Sequence, residues 1–196
     1  MNEEKKPKAL IDLFQKVIPI VENAKMDYLV IGGIAASSLG EARITEDLDL
    51  ILFIKRNEVK KFLGLVKKED FDFDERAQIE NARITGCFRI HWNNIRLDLL
   101  CASTDFEREA YQRKIRLKFF QTEANFPTPE NLIILKIVAN RPKDIFDVES
   151  IAIRNWKKLD LTYLEKWIQK ICDQSENMTY WKSLKRVLKY AKKVSG

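Results

Sequence analysis

The feature that most constrains the fold is an apolar run, YLVIGG, which stops at two glycines and is followed by a second apolar run that carries acids. Residues 28–32 have the composition of a buried β-strand, and IAASSLG predicts a short helix of small residues that ends at Gly40. The segment DLDLILFI predicts another strand over residues 47–54. A strand, a paired-glycine turn, a helix and an acid-bearing strand therefore follow one another directly.

Two aspartates, Asp47 and Asp49, alternate with leucines in this second strand. Because successive side chains of a strand point to opposite faces, both carboxylates project to the same face. They repel each other unless water screens them at an exposed strand end or a cation lies between them. A third acid, Asp98, lies between Leu97 and Leu99 in IRLDLL, where a lone ionised carboxylate is costly to bury. If the two strands are neighbours, the three carboxylates converge.

Convergent carboxylates are the ligands that hard divalent cations such as Mg²⁺ prefer, and two such ions can support the displacement at a phosphorus atom. The turn at Gly32 and Gly33 is complementary, because glycine lets backbone N–H groups and the positive end of a helix approach a phosphate closely. A Gly-Gly turn by itself is more often only a turn. Together with the two acid strands it indicates a site for a metal-bound nucleoside triphosphate.

The remaining pattern separates the chain into two parts. Segments 57–68, 83–91, 95–101 and 115–120 are predicted as an amphipathic helix followed by three strands. Thr128 is expected to cap a helix that begins at Pro129. Beyond it, helices are predicted over about 129–140, 143–154, 160–173 and 177–193. We therefore predict an α+β protein whose core domain, residues 1–125, has a short mixed β-sheet with flanking helices, and whose C-terminal helical subdomain comprises residues 126–196.

Composition excludes several classes of protein. The chain has 196 residues, of which 45% are apolar and 33% are charged, and it contains no low-complexity tract. No stretch approaches the roughly 20 apolar residues of a membrane span, so we expect a cytoplasmic protein without a membrane partner. Three widely spaced cysteines and one histidine indicate neither a zinc site nor a disulfide framework, and Cys101 and Cys172 are expected to be buried thiols. The formal net charge of +6 permits a polyanionic partner.

These motifs resemble the signature of the nucleotidyltransferase superfamily to which DNA polymerase beta belongs. The signature has an apolar residue and two small residues, then an Asp-x-Asp strand, then a third carboxylate on a later strand. Here it is matched by IGG at 31–33, DLDL at 47–50 and RLDLL at 96–100. RITEDLD at 43–49, and the later Lys136 with KDIFD, are similar to the minimal bacterial and archaeal members. Those members include abortive-infection type transferases that act as toxins in toxin–antitoxin pairs.

The resemblance implies a nucleotidyltransferase fold and an enzyme that moves a nucleoside monophosphate from a nucleoside triphosphate, such as ATP, to an acceptor hydroxyl. Pyrophosphate would be released. Asp47 and Asp49 would bind Mg²⁺ or Mn²⁺. Asp98 would complete the metal site and act as the general base on the acceptor hydroxyl.

The resemblance also implies roles outside the acids of the strands. Gly32 and Gly33 would contact the triphosphate, and Lys136 would neutralise the pyrophosphate leaving group. Lys136 and Asp144 would take part in nucleotide binding. For Lys136, whose sequence neighbours are apolar, the alternative is a snorkelling lysine at the edge of a helix–helix contact. Arg43 is expected to hold its loop or to pair with an acid.

Asp144 and Asp147 are three residues apart on a predicted helix and share a face, although the first turn of any helix favours acids.

The acceptor and the partners stay open. In toxin-type members the acceptor is tRNA, so tRNA or another RNA and a cognate antitoxin are candidate partners. The last predicted helix carries cations that either bind RNA or only face solvent: Lys182, Lys185, Arg186, Lys189, Lys192 and Lys193. The alternatives are an enzyme that modifies a small molecule such as an antibiotic, and a catalytically silent binding partner in a two-protein system.

Overall fold

The computed structural model describes residues 5–195 of the chain. The strands are β1 (Tyr28–Ile31), β2 (Asp47–Leu52), β3 (Cys87–Trp92), β4 (Ile95–Cys101), β5 (Ile115–Phe119) and β6 (Thr122–Phe126). The helices are α1 (Lys5–Asn23), α2 (Gly32–Leu39), α3 (Val59–Lys67), α4 (Glu75–Thr85), α5 (Asp105–Gln112), α6 (Pro129–Ala139), α7 (Pro142–Asn155), α8 (Leu161–Ser175) and α9 (Thr179–Ser195).

The main sheet has the strand order β1-β2-β4-β3. β1 pairs with β2 in antiparallel orientation, β2 with β4 in parallel orientation, and β4 with β3 in antiparallel orientation. β5 and β6 form a separate antiparallel pair. This short mixed sheet with flanking helices confirms the predicted α+β class.

The chain divides into two compact units. The first, which we call the sheet unit, comprises residues up to 34 together with 44–126, and the second, the helical unit, comprises 35–43 together with the residues from 127 onward. The sheet unit is built around apolar side chains of α1 and the main sheet, such as Phe14, Leu48 and Leu97, which are fully buried. α6 to α9 belong to the helical unit. Its core contains Ile133, Ile151, Leu164 and Leu184, which are also fully buried.

Helix α6 begins as predicted. The side chain of Thr128 accepts a hydrogen bond from the backbone N–H of Asn131, and Pro129 occupies the first turn, where its missing N–H costs nothing. At the other end Asn140 adopts a left-handed conformation with φ of 50°, which ends the helix.

The prediction of a strand over residues 83–91 was wrong at its beginning. Residues 83–85 are the last turn of α4, and β3 begins only at Cys87. α4 starts where the Asp74 side chain accepts from the backbone N–H of Ala77, and it ends at Gly86, whose φ is 77°. Its surface is mostly polar and only Ala82 is buried, so apolar periodicity does not reveal it. α5 and β6 were missed as well.

Two further expectations concern burial. Cys101 and Cys172 are buried, as predicted, whereas Cys87 is exposed. Burial raises the pKa of the Cys101 thiol to about 11, which leaves it protonated and unreactive at neutral pH. Among the helices of residues 5–195, none is both long and apolar enough to cross a membrane.

Candidate active site

The three aspartates of the strands lie on one face of the main sheet. In the parallel ladder between β2 and β4, Asp49 pairs with Asp98, and Asp47 pairs with Arg96. Paired residues of neighbouring strands project to the same face, so all three carboxylates stand side by side. The leucine between the first two acids, Leu48, is fully buried on the opposite face. The condition for this convergence, that the two acid strands are neighbours, is therefore met.

The paired glycines lie directly against this face. Ile31, the last residue of β1, pairs with Asp49, and Gly32 follows it with a φ of 66°. A Cβ atom at Gly32 would lie only 1.8 Å from Asp49 Oδ2, and a Cβ atom at Gly33 would lie 2.3 Å from Thr45 Oγ1. Only glycine suits the first position, because its backbone is left-handed and the carboxylate occupies the space of a side chain. The first turn of α2 thus lies close against the Asp49 carboxylate.

Thr45 links the loop before β2 to the acids. Its hydroxyl lies 3.0 Å from Asp47 Oδ1 and donates a hydrogen bond to it. The threonine of the RITEDLD motif therefore orients the first carboxylate.

Two arginines also lie on this face. Arg96 Nη2 donates to Asp47 Oδ2, and Arg96 Nε lies 3.2 Å from Asp98 Oδ2 without the alignment of a hydrogen bond. Arg89, opposite Asp98 on β3, donates from Nε to Asp98 Oδ1 at 2.5 Å. We call these groups the sheet cluster: Asp47, Asp49, Asp98, Arg89 and Arg96.

The carboxylates of the sheet cluster suit a divalent metal in donor chemistry, because their donor atoms are hard oxygens. Within residues 5–195, however, no three side chains of the metal-binding types are arranged to hold an ion as they stand. The guanidinium of Arg96 contacts both Asp47 and Asp98, so these two acids already share one cation. The donor atoms suit a metal in kind, and Arg96 competes with a metal for two of the three acids.

A second ionic group lies in the helical unit. Lys136 Nζ donates to Asp147 Oδ2 at 2.6 Å and to Asp144 Oδ1 at 3.2 Å. Arg43 forms a two-pronged pair with Asp147, at 2.6 Å from Nε and 2.9 Å from Nη2. Arg141 Nε donates to Asp144 Oδ2 at 2.7 Å. We call these groups the helix cluster: Arg43, Lys136, Arg141, Asp144 and Asp147.

The centre of the helix cluster is buried and strongly paired, whereas the side chains of Arg43 and Arg141 at its edge are 35% and 51% exposed. Only 3% of Lys136 is exposed, so the snorkelling alternative was wrong. Burial would raise the pKa of Asp144, but the hydrogen bond from Arg141 and the charge of Lys136 outweigh it and lower the pKa. For Asp147, burial is likewise outweighed by the hydrogen bonds from Arg43 and Lys136, and its pKa is also lowered. Both acids are therefore carboxylates at neutral pH.

The predicted residues form two groups, one in each unit. Asp47, Asp49, Asp98 and the two glycines lie together in the sheet unit, whereas Lys136 and Asp144 contact each other in the helical unit. Two expectations are confirmed: Arg43 pairs with an acid, and Asp144 and Asp147 share a face.

Sequence reasoning missed Arg96 as a partner of the acids. Its only signal was the spacing of two residues before Asp98, which places both side chains on one face of β4.

Comparison with solved structures shows which known fold the chain shares. The chain is similar to an antigenic nucleotidyltransferase-like protein from Paracoccidioides brasiliensis, with a TM-score of 0.52, 15% identity and 94% of each chain covered. It is also similar to the antibiotic-resistance factor ANT(2″)-Ia in solution, with a TM-score of 0.59 and 14% identity over 86% of this chain and 96% of that one. At such identities the likeness concerns the fold, which is that of nucleotidyltransferases.

The particular family follows from the sequence. A family model described as "Nucleotidyltransferase of unknown function (DUF6036)" matches residues 8–195, and the chain belongs to this family. It is therefore a nucleotidyltransferase, as the motifs predicted. No curated protein matches the chain.

Proposed function

We propose that the protein transfers a nucleoside monophosphate from a nucleoside triphosphate such as ATP to an acceptor hydroxyl, that it releases pyrophosphate, and that it requires Mg²⁺ or Mn²⁺. The observation that carries the proposal is the pairing of Asp49 with Asp98 while the Gly32 turn lies against Asp49. Acids that suit a metal and a glycine turn that suits a phosphate are adjacent in the same unit, which is what a metal-bound triphosphate requires.

Charge supports the metal dependence. The sheet cluster contains three carboxylates and two guanidiniums, so it has one negative charge in excess. Asp47 and Asp49 would hold the metal, and Asp98 would complete the site. A bound metal would neutralise charge on the triphosphate and polarise it for displacement. Asp98 would also accept the proton of the acceptor hydroxyl, which makes that oxygen a better nucleophile.

The backbone of the glycine turn would bind the triphosphate. α2 begins at Gly32, so the N–H groups of Gly32 and Gly33 lie at the positive end of a helix, which suits phosphate oxygens. A side chain on Gly32 would collide with Asp49, and therefore the close approach of the turn to this carboxylate depends on glycine at position 32.

Lys136 and Asp144 would contribute to nucleotide binding through electrostatic interactions. The helix cluster contains three cations and two carboxylates, so its excess charge is positive and suits an anionic leaving group. Lys136 is already bonded to Asp144 and Asp147. Its role toward pyrophosphate therefore requires that its ammonium group exchange one carboxylate partner for a phosphate oxygen.

We propose RNA, such as tRNA, as the acceptor. The support is the basic surface of α9, on which the cations named above are all exposed: Lys182, Lys185, Arg186, Lys189, Lys192 and Lys193. Such a surface attracts a polyanion, and the attraction should weaken with salt. A cognate antitoxin would be a further partner if the enzyme acts as a toxin.

The test is transfer of label. The protein is incubated with each α-labelled triphosphate and Mg²⁺, and total tRNA, total protein or candidate small molecules such as aminoglycosides are added in turn. We expect label to enter tRNA with the wild type, to be lost with EDTA or with Asp47→Ala, and to persist with Asp105→Ala. Asp105 is a suitable control because it is an exposed acid on α5, outside the sheet cluster.

The outcomes separate the alternatives. Transfer that persists in Asp47→Ala contradicts the assignment of the site. Label in a small molecule but not in RNA contradicts the proposed acceptor and supports small-molecule modification. If no label moves in any mixture although the protein binds nucleotide, the catalytically silent binding partner is the better interpretation.

A further inference from the structure

Arg96 occupies a special place among the acids of the main sheet. It lies opposite Asp47 in the β2–β4 ladder and two residues before Asp98 on its own strand, so its side chain emerges on the acid face between the two carboxylates. An arginine at this position contributes a positive charge where the proposed metal would contribute one.

The contacts of Arg96 reach two strands at once. Its Nη2 atom donates to Asp47 on β2, and its Nε atom lies 3.2 Å from an oxygen of Asp98 on β4. The hydrogen bond to Asp47, and the nearby charges of Asp98 and Asp49, raise the pKa of Arg96 despite partial burial. The guanidinium therefore acts as a permanent cation shared by the three acids.

The side chain of Arg96 is more exposed to solvent than the carboxylates that it contacts. Its side chain is 41% exposed, whereas those of Asp47 and Asp98 are 14% and 20% exposed. An arginine that reaches solvent can exchange part of its ion pairing for water more readily than a buried one can.

Arg89 provides a natural comparison. It binds Asp98 from β3 through Nε at 2.5 Å, and its side chain is 52% exposed. Among the described contacts it reaches Asp98 and not Asp47. Arg89 thus neutralises one acid, and Arg96 connects two.

We infer that Arg96 is a resident counter-cation, which bridges Asp47 and Asp98 when no metal is bound and must leave before a metal can be shared by them. It is a positioning residue that prevents three adjacent carboxylates from repelling one another in the metal-free protein. The inference rests on the proposed metal-dependent function. Under this inference, metal binding requires that the ion pairs of Arg96 break. The affinity for metal therefore depends partly on this arginine.

The first test measures Mn²⁺ binding by calorimetry, with paramagnetic resonance of free Mn²⁺ as a second readout, in the wild type and in Arg96→Gln. We expect Arg96→Gln to bind Mn²⁺ about twofold to fivefold more tightly, which corresponds to loss of about one competing exposed ion pair. In EDTA the same variant should melt at a lower temperature than the wild type, and Mn²⁺ should raise its melting temperature by more.

Two further variants separate bridging from general charge. Arg96→Lys keeps the positive charge but loses the separate Nη2 and Nε contacts to Asp47 and Asp98, so we expect it to bind Mn²⁺ more tightly than the wild type. Arg89→Gln removes the same charge from the same face without removing the bridge, and we expect a smaller gain than in Arg96→Gln. A gain in Arg89→Gln equal to that in Arg96→Gln, or an Arg96→Lys variant that behaves as the wild type, overturns the bridging role.

The wild type itself supplies an independent measurement. In ¹⁵N spectra, the Nε–H signal that is absent from Arg96→Lys belongs to Arg96, and it should move on addition of Mg²⁺ more than that of Arg89. Wild type that binds Mn²⁺ as tightly as Arg96→Gln overturns the inference alone. Absence of Mn²⁺ binding in both overturns it together with the proposed metal dependence.

Discussion

The sheet cluster and the helix cluster both pair cations with carboxylates, but they differ in how far the paired groups are exposed to solvent. In the helix cluster the side chains of Lys136, Asp144 and Asp147 are at most 4% exposed. In the sheet cluster the side chain of Asp98 is 20% exposed and that of Arg96 is 41% exposed. A buried charge such as Lys136 needs an ionic partner at all times because an unpaired buried charge is costly, whereas the half-exposed Arg96 can also turn to water. The two clusters therefore differ in the exposure of the cation that contacts two carboxylates.

The largest effect is expected for Lys136→Ala. It leaves two buried carboxylates without their shared ammonium, and we expect it to lower the free energy of unfolding by about 3–5 kcal/mol. Equilibrium urea denaturation measures this. Lys185→Ala is the control, since Lys185 pairs with Glu165 at 2.6 Å on the surface and should contribute less than about 1 kcal/mol. Equal effects in the two variants would contradict the contrast between buried and exposed pairs.

Gly32→Ala should have the next largest effect. A left-handed backbone costs a residue with a Cβ atom about 1–2 kcal/mol, and the clash with the Asp49 carboxylate adds to this cost. Gly64→Ala is a matched control on α3, where a Cβ atom would meet nothing within 4 Å. It should be neutral or stabilise the protein by about 0.5–1 kcal/mol. Equal urea midpoints for the two variants would show that the glycine turn is not tightly packed.

Acid should weaken the helix cluster. The pKa values of Asp144 and Asp147 are lowered in the folded protein, so their contribution to stability is complete above the unfolded pKa near 4. It is lost as the pH falls through the lower, folded values. Arg141→Ala removes a guanidinium that lowers the pKa of Asp144, and therefore the acid unfolding midpoint should move to higher pH. An unchanged midpoint, followed by far-ultraviolet circular dichroism, would contradict this coupling.

The smallest effect on stability is expected for Asp98→Asn. Its partners Arg89 and Arg96 are half-exposed and can regain water, so the free energy of unfolding should change by about 0–1 kcal/mol. The same variant should lose nucleotide transfer if Asp98 is the general base. A loss of several kcal/mol in urea denaturation would mean that the sheet cluster is as constrained as the helix cluster.

Local sequence signals predicted much of the fold, and they failed where polar surface hid the pattern. α7 to α9 follow apolar periodicity and α6 follows a capping threonine, and the existence of all four helices was predicted. α4 buries only Ala82, so its sequence carries little periodicity, and its last turn was assigned to a strand. Strand edges and polar helices depend on contacts made elsewhere in the chain.

The sequence by itself was enough to identify the acids on one strand face, the glycine turn and the family signature. Alternation within a strand and the conformational freedom of glycine are local properties. Only the tertiary structure decided which groups meet. Arg96 lies 49 residues from Asp47, and Arg43 lies 104 residues from Asp147. Such pairs arise from strand register and helix packing, which are properties of the whole folded unit. The motif therefore predicted where the chemistry lies, and the fold decided which cations share its carboxylates.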